Sequence, residues 1–291
     1  MQIKKGIYII YWEVSIMKAS KLIKSKYKSI LESYVDIENM LYDVEFIHKL
    51  RVNIRELRSL LYFYKPILKQ KKYNSFNDFL KNLSGQFSKL REIQIGKEVY
   101  HDYCVKKDIS YPNEFSEILI TIEEAIVSDL KRNLIPQKEL EDNKMTLYSL
   151  VKRLDSDENL KSFSKKRIKT MSKKISKKIN EIEFNDIEEI HDLRIELKKL
   201  KYALKYLPDY IKDYTLLPED LTNEYSDLLG FLLDKYSILN ILSAYPDVFD
   251  AYHKSYSRGL FEGYLYNELA TSKEILENMK AAIGDLNTNN L

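Results

Sequence analysis

The chain has a single cysteine, Cys104, in 291 residues. No disulfide can therefore form within it, and no cysteine cluster can hold zinc or an iron–sulfur centre. A reducing cytoplasm is the compartment this usage suggests. Glycine (7) and proline (6) are scarce too, whereas a many-stranded sheet needs a turn signal roughly every 10 residues. Their scarcity favours long helices. No apolar run reaches the ~20 residues that span a bilayer, so no membrane partner is expected. The apolar segment Gly6–Val14, GIYIIYWEV, is short and lacks a small-residue cleavage site. A short strand and an extra helical turn both stay open for it, as does a start at Met17. Also missing are a phosphate-cradling glycine loop, a nucleophile motif and a paired-carboxylate signature. No catalytic residue, metal or cofactor is expected, and the chain reads as a binding protein and not an enzyme.

With 44% hydrophobic and 31% charged residues, the chain can bury a sizeable core without being disordered. A net charge of +3 singles out no partner, but the charge is segregated. Residues 161–178 hold nine Lys or Arg and no acid, while Asp36 to Glu45 holds four acids and no base. Local fields of that kind act even on a near-neutral molecule.

Apolar residues recur at helical spacing. Ile47, Leu50, Ile54, Leu57 and Leu61 form one series, Leu193, Leu197, Leu200 and Leu204 a second, and Ile168, Met171, Ile175, Ile179 and Ile182 a third. Breaks fall near Pro66, Pro112, Pro136, Pro208, Pro218 and Pro246. The expected class is all-α, with helices near 17–34, 40–64, 75–107, 113–134, 138–181, 187–207, 219–244 and 247–283, the fifth breaking around Asp155 to Asn159.

The chain also repeats internally. HKLRVNIRELRSLLYFY begins at His48 and HDLRIELKKLKYALKYL at His191, 143 residues later. Both follow the frame His-x-Leu-Arg-[Val/Ile]-x-x-[Arg/Lys]-x-Leu-[Arg/Lys], and both meet a proline (Pro66, Pro208) soon afterwards. Such a repeat predicts two similar helical bundles related by an approximate two-fold. Asp186, with Glu189 three residues on, looks like a capping box opening the second motif helix.

At ~100° per residue from His48, Arg51, Arg55 and Arg58 fall at about 300°, 340° and 280°, beside a leucine-rich face near 210°. His191, Arg194, Lys198 and Lys201 take the same angles in the second copy. Each stripe covers about 15 Å and carries no acid. That suits a linear anion, which guanidinium groups grip in bidentate fashion and ammonium groups as point charges. Phosphate beside the histidines would favour their cationic form. Lys173 and Lys177 are the expected additional contacts from the basic run 161–178.

Two other readings use the same residues. Glu45…His48 and Glu188…His191 both spell Glu-x-x-His, the spacing used by ferritin-like di-iron bundles. Three cations follow each histidine, however, and the two further core glutamates such a site needs are not evident. Nucleic acid is the other, because the stripes would attract any phosphate chain. Few of the 23 tyrosines interleave with them as a stacking platform requires.

The doubled motif resembles that of the CHAD domain, the conserved histidine α-helical domain. The matching residues are His48, Arg51, Val52, Arg55, Leu57 and Arg58, then His191, Leu193, Arg194, Ile195, Lys198, Leu200 and Tyr202. Leu90-Arg91-Glu92-Ile93-Gln94 and Leu229-Gly230 followed by Asp234 resemble the family's secondary elements. The resemblance covers about residues 18–283. Residues 1–17 stand outside it as an extension and 284–291 as a tail. It implies two pseudo-symmetric four-helix bundles, about 18–137 and 138–283, enclosing a basic central groove or pore. It also implies inorganic polyphosphate as the ligand, with polyphosphate granules or a polyphosphate-metabolising enzyme as associates. The implied contacts are His48, Arg51, Arg55, Arg58, His191, Arg194, Lys198 and Lys201, with Arg91 and Lys199 as secondary ones. Some members carry a fused metalloenzyme β-barrel, for which a helical chain of this length leaves no room. Glu56 departs from the family, standing where a second arginine is usual, as do Lys199 and Lys201 where arginines are. Glu56 falls off the stripe and should weaken its field only modestly.

Overall fold

The computed structural model of the chain describes residues 19–155, 159–244 and 252–288. The segment 1–17 with its apolar stretch, and the break expected at Pro246, lie outside the described residues. Among those described, every regular element is helical.

Helix α1 (Ala19–Tyr34) precedes α2 (Val44–Tyr64), which carries the first motif. Asp43 starts α2 by accepting a hydrogen bond from the Phe46 N–H at 2.9 Å, which satisfies one of the orphan donors of the first turn. Residues 40–43, expected to be helical, are therefore turn. A 3₁₀ turn at Lys65–Ile67, built on Pro66, leads into α3 (Gln70–Gly85) and α4 (Ser88–Lys107). One helix was expected over this stretch. The periodicity hides the break, because Leu83, Phe87 and Leu90 are all fully buried across it. Arg51 donates to the Ser84 carbonyl at 3.0 Å, satisfying an acceptor that the end of α3 leaves open.

Helix α5 (Glu114–Arg132) opens with an Asn113–Ser116 capping box. Helices α6 (Gln137–Val151) and α7 (Leu160–Glu181) are separated by a 3₁₀ turn, Lys152–Asp155, where the break was expected. The second motif lies on α8 (Ile187–Tyr206). The Asp186 carboxylate caps it, accepting from the Glu188 and Glu189 N–H groups at 2.8 and 3.2 Å. The reciprocal half of a capping box is replaced, since the Asp186 N–H goes to the Glu183 carbonyl. A short α9 (Asp209–Lys212) precedes the long α10 (Glu219–Ala244) and α11 (Tyr252–Thr288). Residues 284–288, read from the sequence as tail, continue α11.

All three apolar series lie in the core: every member is at most 6% exposed. Motif helices α2 and α8 pack directly on each other. Helix α2 also packs on α1 and α3, and α8 on α7 and α10. The packing does not divide at residue 137, as the sequence suggested. Helix α6 returns to α1 and α3, held by hydrogen bonds from Tyr27 to the Leu140 carbonyl and from Tyr34 to the Ile135 carbonyl. The α4–α5 hairpin instead reaches α10 and α11, where Tyr100, Tyr103 and Phe115 close around Phe261 with ring centroids 5.0, 5.2 and 5.8 Å away. Burial of large aromatic surface fixes this association, and nothing local in the sequence marks it.

Candidate anion-binding site

The contact between α2 and α8 places part of each basic stripe on one cleft of about 1070 Å³. His48, Arg51 and Arg55 line it from α2, and His191, Arg194 and Lys198 from α8. Helix α4 adds Lys89 and Arg91. Six of the eight primary residues expected from the sequence thus meet, together with one of the secondary ones.

Their states differ. Arg51 is partly committed to the fold through the Ser84 carbonyl and through Ser88 Oγ, 3.2 Å away. Burial, reinforced by the neighbouring Arg55 charge, brings its guanidinium down to about 10. Arg55 and Arg194 differ in that the Nε of each is buried with no hydrogen-bond partner. An unsatisfied buried donor costs about 1–3 kcal/mol. Burial also lowers the Arg194 pKa, opposed by the charge of Asp234.

Lys198 is pushed down to about 8, by burial first and then by Arg194 and Lys201. His48 is lowered by burial and by the Arg91 and Arg55 charges. Both effects favour the neutral form of His48. The stripes themselves carry no carboxylate, and Lys198 takes its partner from α10, with Asp227 Oδ1 3.4 Å away. Acids do enter from elsewhere, a feature the stripe pattern does not reveal: Glu92 from α4, Asp234 from α10, and Glu188 and Asp192 from the first turns of α8. Burial raises the Asp234 pKa against the pull of Arg194 and Arg91.

Gly230 on α10 gives Arg194 its place. A Cβ there would lie 3.2 Å from both Nε and Nη2 of Arg194, closer than a side chain ordinarily tolerates. The guanidinium thus rests against the α10 backbone.

The remaining expected contacts do not line the cleft. Arg58 faces α3, where its Nε is 3.4 Å from Asn77 Oδ1. Lys201 is held by both oxygens of Asp227, at 2.8 and 2.9 Å. Lys199 Nζ lies 4.3 Å from the centre of the Tyr62 ring, a cation–π contact. Lys173 and Lys177 are exposed on α7, with Lys177 3.6 Å from Glu181. In the same basic run, Arg167 donates to the Tyr62 and Phe63 carbonyls, both at 3.2 Å. Lys174 and Lys178 both reach Glu196, at 2.9 and 3.0 Å. Arg167, Lys174 and Lys178 thus tie α7 to α2 and α8.

Glu56 is more than a weak spot in the field. Only 1% exposed, it accepts hydrogen bonds from Lys26, Lys205 and Tyr206, fastening α2 to α1 and α8. Glu56 and Lys199 hold the same motif place, as do Tyr62 and Lys205. The contacts Glu56–Lys205 and Lys199–Tyr62 are thus counterparts across the crossing. Of the Glu-x-x-His pairs, Glu45 is exposed and 3.3 Å from Lys49. Among the described residues, no three of His, Cys, Asp and Glu come together as metal ligands.

The family model of the CHAD domain matches residues 36–234. The crystal structure of the CHAD domain from the plant Ricinus communis is similar in fold, with a TM-score of 0.66 and 16% identity, covering 91% of each chain. Among curated proteins none matches the chain.

Proposed function

Because the chain belongs to the CHAD domain family, we propose that it is a non-catalytic module that binds inorganic polyphosphate in the cleft between its two motif helices. The observation that carries this reading is the pair Arg55 and Arg194, one from each motif copy, which line one cleft and whose buried Nε atoms have no hydrogen-bond partner. A phosphate chain presents acceptors on every unit and can engage both guanidinium groups at once, with Lys198 and Arg91 as further charges. His191 and His48 add imidazole N–H donors.

We read the architecture as two four-helix bundles related by an approximate two-fold, enclosing a basic groove. In support, α1, α2, α3 and α6 form one circuit of packed neighbours and α7, α8, α10 and α11 another. The counterpart contacts at the α2–α8 crossing point the same way. Association with polyphosphate granules or with an enzyme that makes or consumes polyphosphate fits such a module, as does a cytoplasmic setting. Among the described residues, no helix is long and apolar enough to cross a membrane.

The test is titration with labelled polyphosphate at several salt concentrations, comparing the wild type with an Arg55→Ala/Arg194→Ala variant. The expected result is at least a thirtyfold loss of affinity and a salt slope reduced by about two, with unchanged helix content. Unchanged binding by the variant would remove the cleft from the account. Ready displacement of polyphosphate by duplex or single-stranded nucleic acid would turn the assignment to nucleic acid.

A further inference from the structure

The cleft has an apolar side that an inorganic anion does not use. Helix α5 contributes two residues to its lining, Ile122 and Ile126, one helical turn apart and so on one face. Ile95 from α4, Leu233 and Ile241 from α10, and Ile187 from α8 extend this surface. Ile95, Ile126, Leu233 and Ile241 are only half-buried, and Ile187 is 44% exposed. They share one cavity with Arg55, Arg194 and Lys198. A phosphate chain is charged on all sides, and pressing its oxygens against isoleucine removes water from them without a compensating hydrogen bond. A ligand with an anionic head and an apolar tail satisfies both surfaces.

We propose that the cleft also takes organic phosphates carrying an alkyl chain, with the head on Arg55, Arg194 and Lys198 and the chain on the isoleucines of α4 and α5. This rests on the basic cleft being an anion site, as proposed above, and adds the class of ligand. The wall is aliphatic, with Tyr236 its one aromatic member, so an alkyl group fits it better than a nucleobase, which binds by stacking.

Calorimetry with decyl phosphate below its micellar concentration tests the proposal, with inorganic phosphate, a ten-carbon alkyl glucoside and inorganic polyphosphate in parallel. Each methylene laid on the wall is worth about 0.8 kcal/mol, close to fourfold. Decyl phosphate should therefore bind at least tenfold more tightly than inorganic phosphate and be displaced by polyphosphate, while the glucoside should not bind. Ile126→Asn, or Ile95→Asn where the first variant fails to fold, should remove the advantage of the alkyl chain and leave polyphosphate affinity unchanged. Equal affinity for decyl phosphate and phosphate overturns the proposal, as does an alkyl advantage that survives both substitutions. Vesicles containing phosphatidate separate a lipid surface from a free amphiphile: binding to vesicles without binding to monomeric decyl phosphate also overturns it. If polyphosphate binds and decyl phosphate does not, this inference alone fails; if neither binds, the anion site itself is lost.

Discussion

Replacing Glu56 tests how the two motif helices are held together. Its carboxylate is 1% exposed and lies 2.7 Å from Lys205 Nζ and 2.6 Å from Tyr206 Oη, with Lys26 Nζ as its third donor. Burial alone would raise its pKa, but the hydrogen bonds from Lys205, Lys26 and Tyr206 outweigh burial and hold it below the ordinary carboxylate range. Breaking a buried pair by removing one partner costs about 3–5 kcal/mol. The Lys205 side chain is 54% exposed and can return to water, whereas that of Lys26 is 19% exposed. The expected cost of Glu56→Ala is therefore lower, about 2–4 kcal/mol at pH 7. Urea unfolding followed by helix signal should show a lower midpoint at constant slope. Because the folded-state pKa is depressed, the ionic part of the stabilisation is present above the unfolded value of about 4.3 and fades as pH falls through the folded one. The deficit of the isosteric Glu56→Gln variant should accordingly shrink below about pH 4. A Glu56→Ala variant within 0.5 kcal/mol of wild type on the order of experimental error, or a Gln deficit equally large in acid and at neutrality, would refute the reasoning.

The cleft yields further expectations. Polyphosphate affinity should fall as pH rises above about 8, where Lys198, 3.4 Å from Asp227, loses its proton, and should rise as pH drops below neutrality and bound His48 takes one up. Calorimetry in buffers of different ionisation enthalpy would detect that proton uptake. Gly230→Ala should weaken polyphosphate binding by about three- to tenfold by displacing the Arg194 guanidinium. It should leave thermal stability unchanged or slightly higher, since alanine favours a helix interior; unaltered affinity would show that Arg194 adapts. Arg58→Ala should change affinity by less than about twofold, in contrast to a tenfold or greater loss for Arg55→Ala, a charged hydrogen bond being worth about 1.5–3 kcal/mol. Equal losses in a filter-binding assay would mean that the ligand extends past the crossing of α2 and α8.

Much of this molecule is legible without coordinates. The leucine and isoleucine series mark core faces because burial must follow the helical period. Asp43 and Asp186 both cap their helices, although only Asp186 stands out in the sequence. The doubled His/Arg frame locates both motif helices and six residues that line one cleft. What escapes is tertiary. The break at Gln86 and Phe87 is hidden because apolar spacing runs through it, and α6 returns to α1 and α3 through long-range contacts such as Tyr27 with Leu140. Glu56 reads locally as an interruption of a basic run, and its three partners come from positions 26, 205 and 206.

The sequence by itself determined an all-helical chain and two copies of a cationic stripe free of acids. Only the tertiary structure decided which cations share a space. Helical period places Arg55 and Arg58 on one stripe, but Arg55 lines the cleft with Arg194 whereas Arg58 turns to Asn77. The same packing brings in Asp234, Gly230 and the isoleucines of α5. A helix face specifies the direction of its own side chains, whereas the contents of a cleft depend on which other helices close it, and that follows from long-range burial.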